Sequence, residues 1–136
     1  MFHLLFSLGM FFNSSLVLAL DLNDFSFTGT AKNTGRPCSL KVLAASETTG
    51  PYTVKVEASI YDSHESSDHV FYFTVKYVKA SQGFNIFGGG EVGKEQLNIF
   101  APEASEKLGQ ASKFSVKWLH GDHFHSELCE GLILND

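Results

Sequence analysis

From about residue 24 onward, hydrophobic residues fall on every second position. The clearest run places Tyr52, Val54, Val56, Ala58 and Ile60 on one face and Thr53, Lys55, Glu57 and Ser59 on the other. A helix would scatter both sets around its axis, so the spacing predicts a half-buried β-strand. Phe25, Phe27 and Gly29 repeat the pattern, as do Cys38, Leu40, Val42 and Ala44. So do Phe71, Phe73, Val75 and Tyr77, and then Phe114, Val116 and Trp118. Trp118 is therefore expected in the core.

Clusters of Gly, Pro, Asn, Asp and Ser punctuate these runs at 33–37, 47–51, 62–68, 80–83, 88–90 and 120–123. Each supplies residues that let the backbone bend. Eight strands are expected, near 24–31, 38–46, 52–61, 69–79, 83–87, 95–100, 112–119 and 123–134. Only 103–110 has a helical look, and a short helical turn between strands is expected there. Short links make neighbours in sequence neighbours in space. The fold class is all-β: about eight antiparallel strands in a meander, as a small β-barrel or a barrel-like β-sandwich. Closure would pair the first strand with the last and remove the edges. A bilayer-spanning barrel would alternate in the same way with its apolar face outward. Short links at both ends, the absence of clear aromatic girdles and the non-aromatic ending Leu134-Asn135-Asp136 argue against that arrangement.

The first twenty residues break the pattern. Met1 to Leu20 carry no Asp, Glu, Lys or Arg, and Leu4 to Phe12 form an apolar run. Val17-Leu18-Ala19 puts small or compact residues where a signal peptidase reads. We read 1–19 as a signal peptide, although the usual Lys or Arg near the N-terminus is missing, and 20–136 as a single all-β domain. The alternative is an uncleaved membrane anchor, against which Asn13-Ser14-Ser15 interrupts the apolar run. After cleavage no transmembrane segment is expected, and the location would be secreted or periplasmic.

Export changes the reading of the two cysteines. An even count in an exported chain predicts a disulfide, here Cys38 with Cys129. Across a meander barrel such a bond would join the second strand to the last, beside the closing seam.

Charge and composition narrow the function classes. The 136 residues carry a formal charge of -5, and Arg36 is the single arginine. No basic stripe is present to meet a phosphate backbone, so no nucleic-acid partner is expected. Hydrophobic residues make up 43% of the chain, with 13 phenylalanines, enough for a packed core.

The chemistry-bearing candidates are few. His120-Gly121-Asp122-His123-Phe124-His125 is the dense group of potential ligands. His123 and His125 would share a strand face roughly 6.6 Å apart along the chain. His120 or Asp122 could add a third ligand, and Glu127 continues the same face. Against a metal, Gly121 and Asp122 also suit the tip of a β-hairpin. No obligatory cofactor is expected; a weak zinc or copper site at His120, Asp122, His123 and His125 is the open alternative. His64 and His69, within Asp62-Ser63-His64-Glu65-Ser66-Ser67-Asp68-His69, form a second histidine and carboxylate group. It reads as a polar loop, which could share an ion with the first group or sense pH if the two turns adjoin. Gly88, Gly93 and Lys94 mimic a phosphate loop, but Glu95 stands where Ser or Thr would hold magnesium. His123, His125 and Glu130 match part of a cupin metal motif without its framing glycines. No nucleophile elbow is present. The expectation is a non-enzymatic exported domain that binds a protein or surface partner or serves the envelope structurally. The alternatives are a carrier of small apolar ligands within the barrel and a metal-binding protein using the histidine hairpin.

Overall fold

The computed structural model describes residues 25–45, 53–91 and 93–135, with backbone alone for 45 and 79–81. The segment read as a signal peptide and the 47–51 turn lie outside the described residues. Eight strands follow in chain order: β1 (Ser26–Ala31), β2 (Pro37–Ala45), β3 (Thr53–Asp62), β4 (Ser67–Ser81), β5 (Phe84–Glu91), β6 (Glu95–Pro102), β7 (Lys113–His120) and β8 (His123–Leu134). Each pairs antiparallel with the next, and β1 pairs with β8, so the meander closes into a barrel rather than a sandwich.

The alternation sets which face lines the closed barrel. Val54, Val56, Ala58 and Ile60 are buried on β3, while Thr53 and Lys55 on its other face are exposed. The same rule points Phe27, Leu40, Phe87, Leu97 and Phe114 inward, each at most 1% exposed. Lys41, Lys55, Lys76 and Lys117 stand on the outer face. A bilayer-spanning barrel requires the reverse polarity. Trp118 is buried, as its alternation requires.

Some details differ from the sequence pattern. Ala44 does not continue the inward set of Cys38, Leu40 and Val42, because the β2–β3 register shifts between Val42 and Ala44. Ala44 then pairs with outward-facing Lys55 and is exposed. The glycines at 88–90, expected as a turn, belong to β5 and pair with Asn98, Leu97 and Gln96. A Cβ on Gly89 would collide with the Thr74 carbonyl of β4. Close approach of two backbones is what Gly89 permits, and Gly90 adds a backbone with φ +113°.

Cys38 on β2 and Cys129 on β8 are disulfide-bonded, with Cα atoms 6.1 Å apart. Both strands flank β1, where Cys38 lies opposite Gly29 and Cys129 opposite Ala31. The bridge therefore crosses the inner face of β1. Gly29 leaves room for it: a Cβ there would stand 3.0 Å from Cys129 Sγ and 2.5 Å from the Glu130 carbonyl.

The end of the barrel carrying the β6–β7 connection is plugged. A 3-10 turn at Leu108–Gln110 drives Leu108 into the core, fully buried. Buried Asn85 holds the plug: its Nδ2 donates to the carbonyls of Ser105 at 2.6 Å and Glu103 at 3.0 Å. The Tyr77 hydroxyl lies 3.2 Å from Asn85 Oδ1 and 3.3 Å from Glu106 Oε1. Burial and then Glu106 push the Tyr77 phenol above its ordinary value. A raised folded value adds stability below the ordinary phenol range, and that stability is lost as pH climbs through the raised value. Asn85→Leu would strand two carbonyls, and is expected to cost about 2 to 3 kcal/mol. Urea unfolding checks the magnitude, and faster amide exchange confined to 103–112 checks the cause.

Candidate functional site at the barrel mouth

The connections 32–36, 63–66 and 121–122 emerge together at the opposite end, because successive meander strands alternate in direction. There the inward register runs past the apolar layers into polar residues. It reaches Asp62 on β3, His69 on β4, and His125 and Glu127 on β8, with Trp118 of β7 among them. Strand positions two apart share a face whatever they carry. The mouth layer is polar and aromatic for that reason alone.

Trp118 is the pillar of this layer. Its ring packs 4.7 Å from His125, 5.3 Å from His69 and 5.1 Å from Phe71, centroid to centroid. The His69 ring stacks on Phe71 at 4.1 Å with 12° between planes and meets the Trp118 ring edge-on. His64, in the 63–66 turn, reaches across to His120 at 4.7 Å and His125 at 5.1 Å. The β3–β4 and β7–β8 hairpins thus touch over the mouth. The β1–β2 turn joins them through Asn33, whose Nδ2 donates to Glu127 Oε2 at 3.0 Å. Glu127 Oε1 lies 2.8 Å from His125 Nε2. Both oxygens of this buried carboxylate are engaged, which burial of a charged group requires.

Asp62 differs. It is completely buried, and its Oδ1 accepts the backbone N–H of His64 at 2.9 Å. Its Oδ2 has no hydrogen-bond partner. The facing His69 Nδ1 is 3.8 Å away, beyond hydrogen-bond range, and is itself buried without a partner. The Trp118 indole N–H is a third such group. Ligand atoms of Asp62, Glu65 and His69 all lie within 4.8 Å of one another.

The residues singled out at 120–125 form the expected hairpin, with His120 paired to His123 across a two-residue turn. The structure does not gather all four around one point. His123 Nε2 meets Asp122 Oδ1 at 3.2 Å with both side chains in solvent, whereas His125 turns inward to Glu127. The His64–His69 group does lie beside this hairpin. In the sequence Asp62 stands out only as part of the polar run around His64 and His69, where a loop is expected; the structure makes it a buried strand residue. Its signal is the β3 register: 54, 56, 58, 60 and then 62 form one inward series.

Fold and mouth together define the class: a small, disulfide-stapled, eight-stranded meander barrel whose described inward side chains pack into one core, with a histidine–carboxylate end. No protein-family model, curated protein or solved structure matches the chain.

Proposed function

We propose that the protein is an exported, non-enzymatic binding domain that works through its outer surface at the mouth end. The filled interior carries this reading. A carrier needs an apolar cavity of about 300 Å³ or more, but the inward positions hold packed side chains such as Phe27, Leu40, Phe87, Leu97 and Phe114. Ligand contact is thereby displaced to the outside. There Leu119 and Phe124 pair across the β7–β8 hairpin with about half of each side chain exposed. The Lys117 ammonium sits 4.6 Å above the Phe124 ring, beside a shallow cleft lined by Glu91, Lys94, Glu95 and Gln96. Exposed aromatic and aliphatic residues framed by charge suit a protein partner. The disulfide supports export, since such bonds persist in oxidising compartments. Among the described residues no helix is long and apolar enough to cross a membrane.

Site-directed photo-crosslinking in the native source tests the reading. A crosslinker at Phe124 is expected to give one discrete adduct, and one at Ala104, at the plugged end, none. Equal labelling from both positions would defeat the assignment of the surface. Stoichiometric uptake of a fluorescent fatty acid by the purified protein would restore the carrier.

A further inference from the structure

We propose that Asp62, Glu65 and His69 form a binding site for one divalent metal ion that favours imidazole ligands, zinc being the representative. The inference does not depend on what the outer surface binds.

Three features converge. Asp62 Oδ2 is a fully buried carboxylate oxygen with no hydrogen-bond partner, aimed at an imidazole nitrogen that also lacks one. A buried carboxylate oxygen left without a hydrogen bond is costly, and the neighbouring Glu127 marks the contrast, with both oxygens satisfied. The separation is the second feature. Asp62 Oδ2 and His69 Nδ1 stand 3.8 Å apart. That is too long for a hydrogen bond, whereas two ligands at about 2.1 Å from one tetrahedral zinc ion stand about 3.4 Å apart. A shift of a few tenths of an ångström on each side chain would seat the ion. Preorganisation is the third. The His64 N–H fixes the Asp62 carboxylate through Oδ1, leaving Oδ2 free. Phe71 and Trp118 fix the plane of the His69 ring. Such outer contacts are what hold metal ligands in place.

The donor set selects the ion. Two carboxylates and a neutral imidazole place two negative charges against a dication. The imidazole favours zinc, copper or nickel over magnesium or calcium, which take oxygen ligands. Glu65 is exposed, so it can close on an ion arriving from solvent. Three protein ligands leave a position open for water.

Titration of the metal-free full chain with zinc chloride, followed by isothermal calorimetry, tests the site. One ion per chain is expected, with a rise in melting temperature on binding and no comparable binding of magnesium. Asp62→Asn and His69→Phe, the latter keeping the ring stack, should each weaken binding by at least about 100-fold, and Glu65→Gln by about tenfold. His123→Ala should leave the affinity unchanged. Should Asp62→Asn fail to fold, Glu65→Gln on the exposed turn decides the matter, together with zinc-dependent shifts of the His69 ring nitrogens in NMR spectra. Absence of zinc binding by the unaltered chain would overturn the proposal and leave the two facing groups to a bridging water. Binding that survives Asp62→Asn and Glu65→Gln but disappears in His123→Ala would equally overturn it and move the site to the hairpin tip.

Discussion

Replacing Cys129 by serine is expected to destabilise the barrel by about 2 to 5 kcal/mol. The bond closes a loop of 91 residues in sequence separation, and chain-entropy reasoning gives such a loop about 4 to 5 kcal/mol. Its position strengthens the expectation. β1 is the short strand at which the barrel closes, and the bridge fastens together β2 and β8, the two strands that hold it. Without the bond, β1 can separate from either neighbour while the remaining strands stay paired. Equilibrium unfolding in urea of the Cys38→Ser, Cys129→Ser and double variants provides the measurement. The double variant should lose no more than the singles, because one bond is removed in every case. A loss below about 1 kcal/mol would mean that the closed barrel holds its seam unaided. Gly29→Val should behave like the cysteine variants, since its side chain would enter the space of the Cys129 sulfur.

Trp118→Ala should cost about 3 to 5 kcal/mol. The indole is 3% exposed and is the one ring that touches His69, Phe71 and His125 together. Its removal leaves a cavity at the mouth whose walls belong to separate hairpins, so collapse around it would have to break hairpin pairing. The informative companion is Trp118→Phe. It retains most of the ring contact and removes an indole N–H that is buried without an acceptor. If that donor is truly unmet, the phenylalanine variant should lie within about 1 kcal/mol of the parent chain, because lost packing is offset by relief of desolvation. A loss as large as the alanine variant's would place a bound water on the indole nitrogen. Urea unfolding followed by circular dichroism reads both variants without using tryptophan emission.

Strand existence, antiparallel order and core membership were legible in the chain because each follows from a local rule. Period-two alternation names the buried face, and turn residues name the links. The alternation of Val54, Val56, Ala58 and Ile60 needs no tertiary information to be read. The disulfide followed from cysteine parity and the expectation of export. Strand limits were less legible. At 88–90 glycine composition suggests a bend, but the backbone of Thr74 pressing on Gly89 decides otherwise. At 62–68 a polar run suggests a loop, yet the turn occupies only 63–66, and Asp62 and His69 are paired strand residues.

That last difference separates what the sequence determines from what the tertiary structure decides. The sequence by itself determines that the chain makes an all-β core from alternating strands, and which residues carry the chemistry of imidazole and carboxylate. Barrel closure decides which of those residues meet. Asp62 and His69 flank one turn, which carries His64, but Asn33 comes from the β1–β2 connection, and His120, Trp118, His125 and Glu127 from β7 and β8, spread over almost the whole domain. Their meeting depends on the curvature of the sheet and on the closing pairing of β1 with β8. Residue spacing along a strand encodes the face of each side chain. It does not encode how far around the barrel another hairpin will stand, and it is that distance which turns dispersed polar residues into one mouth.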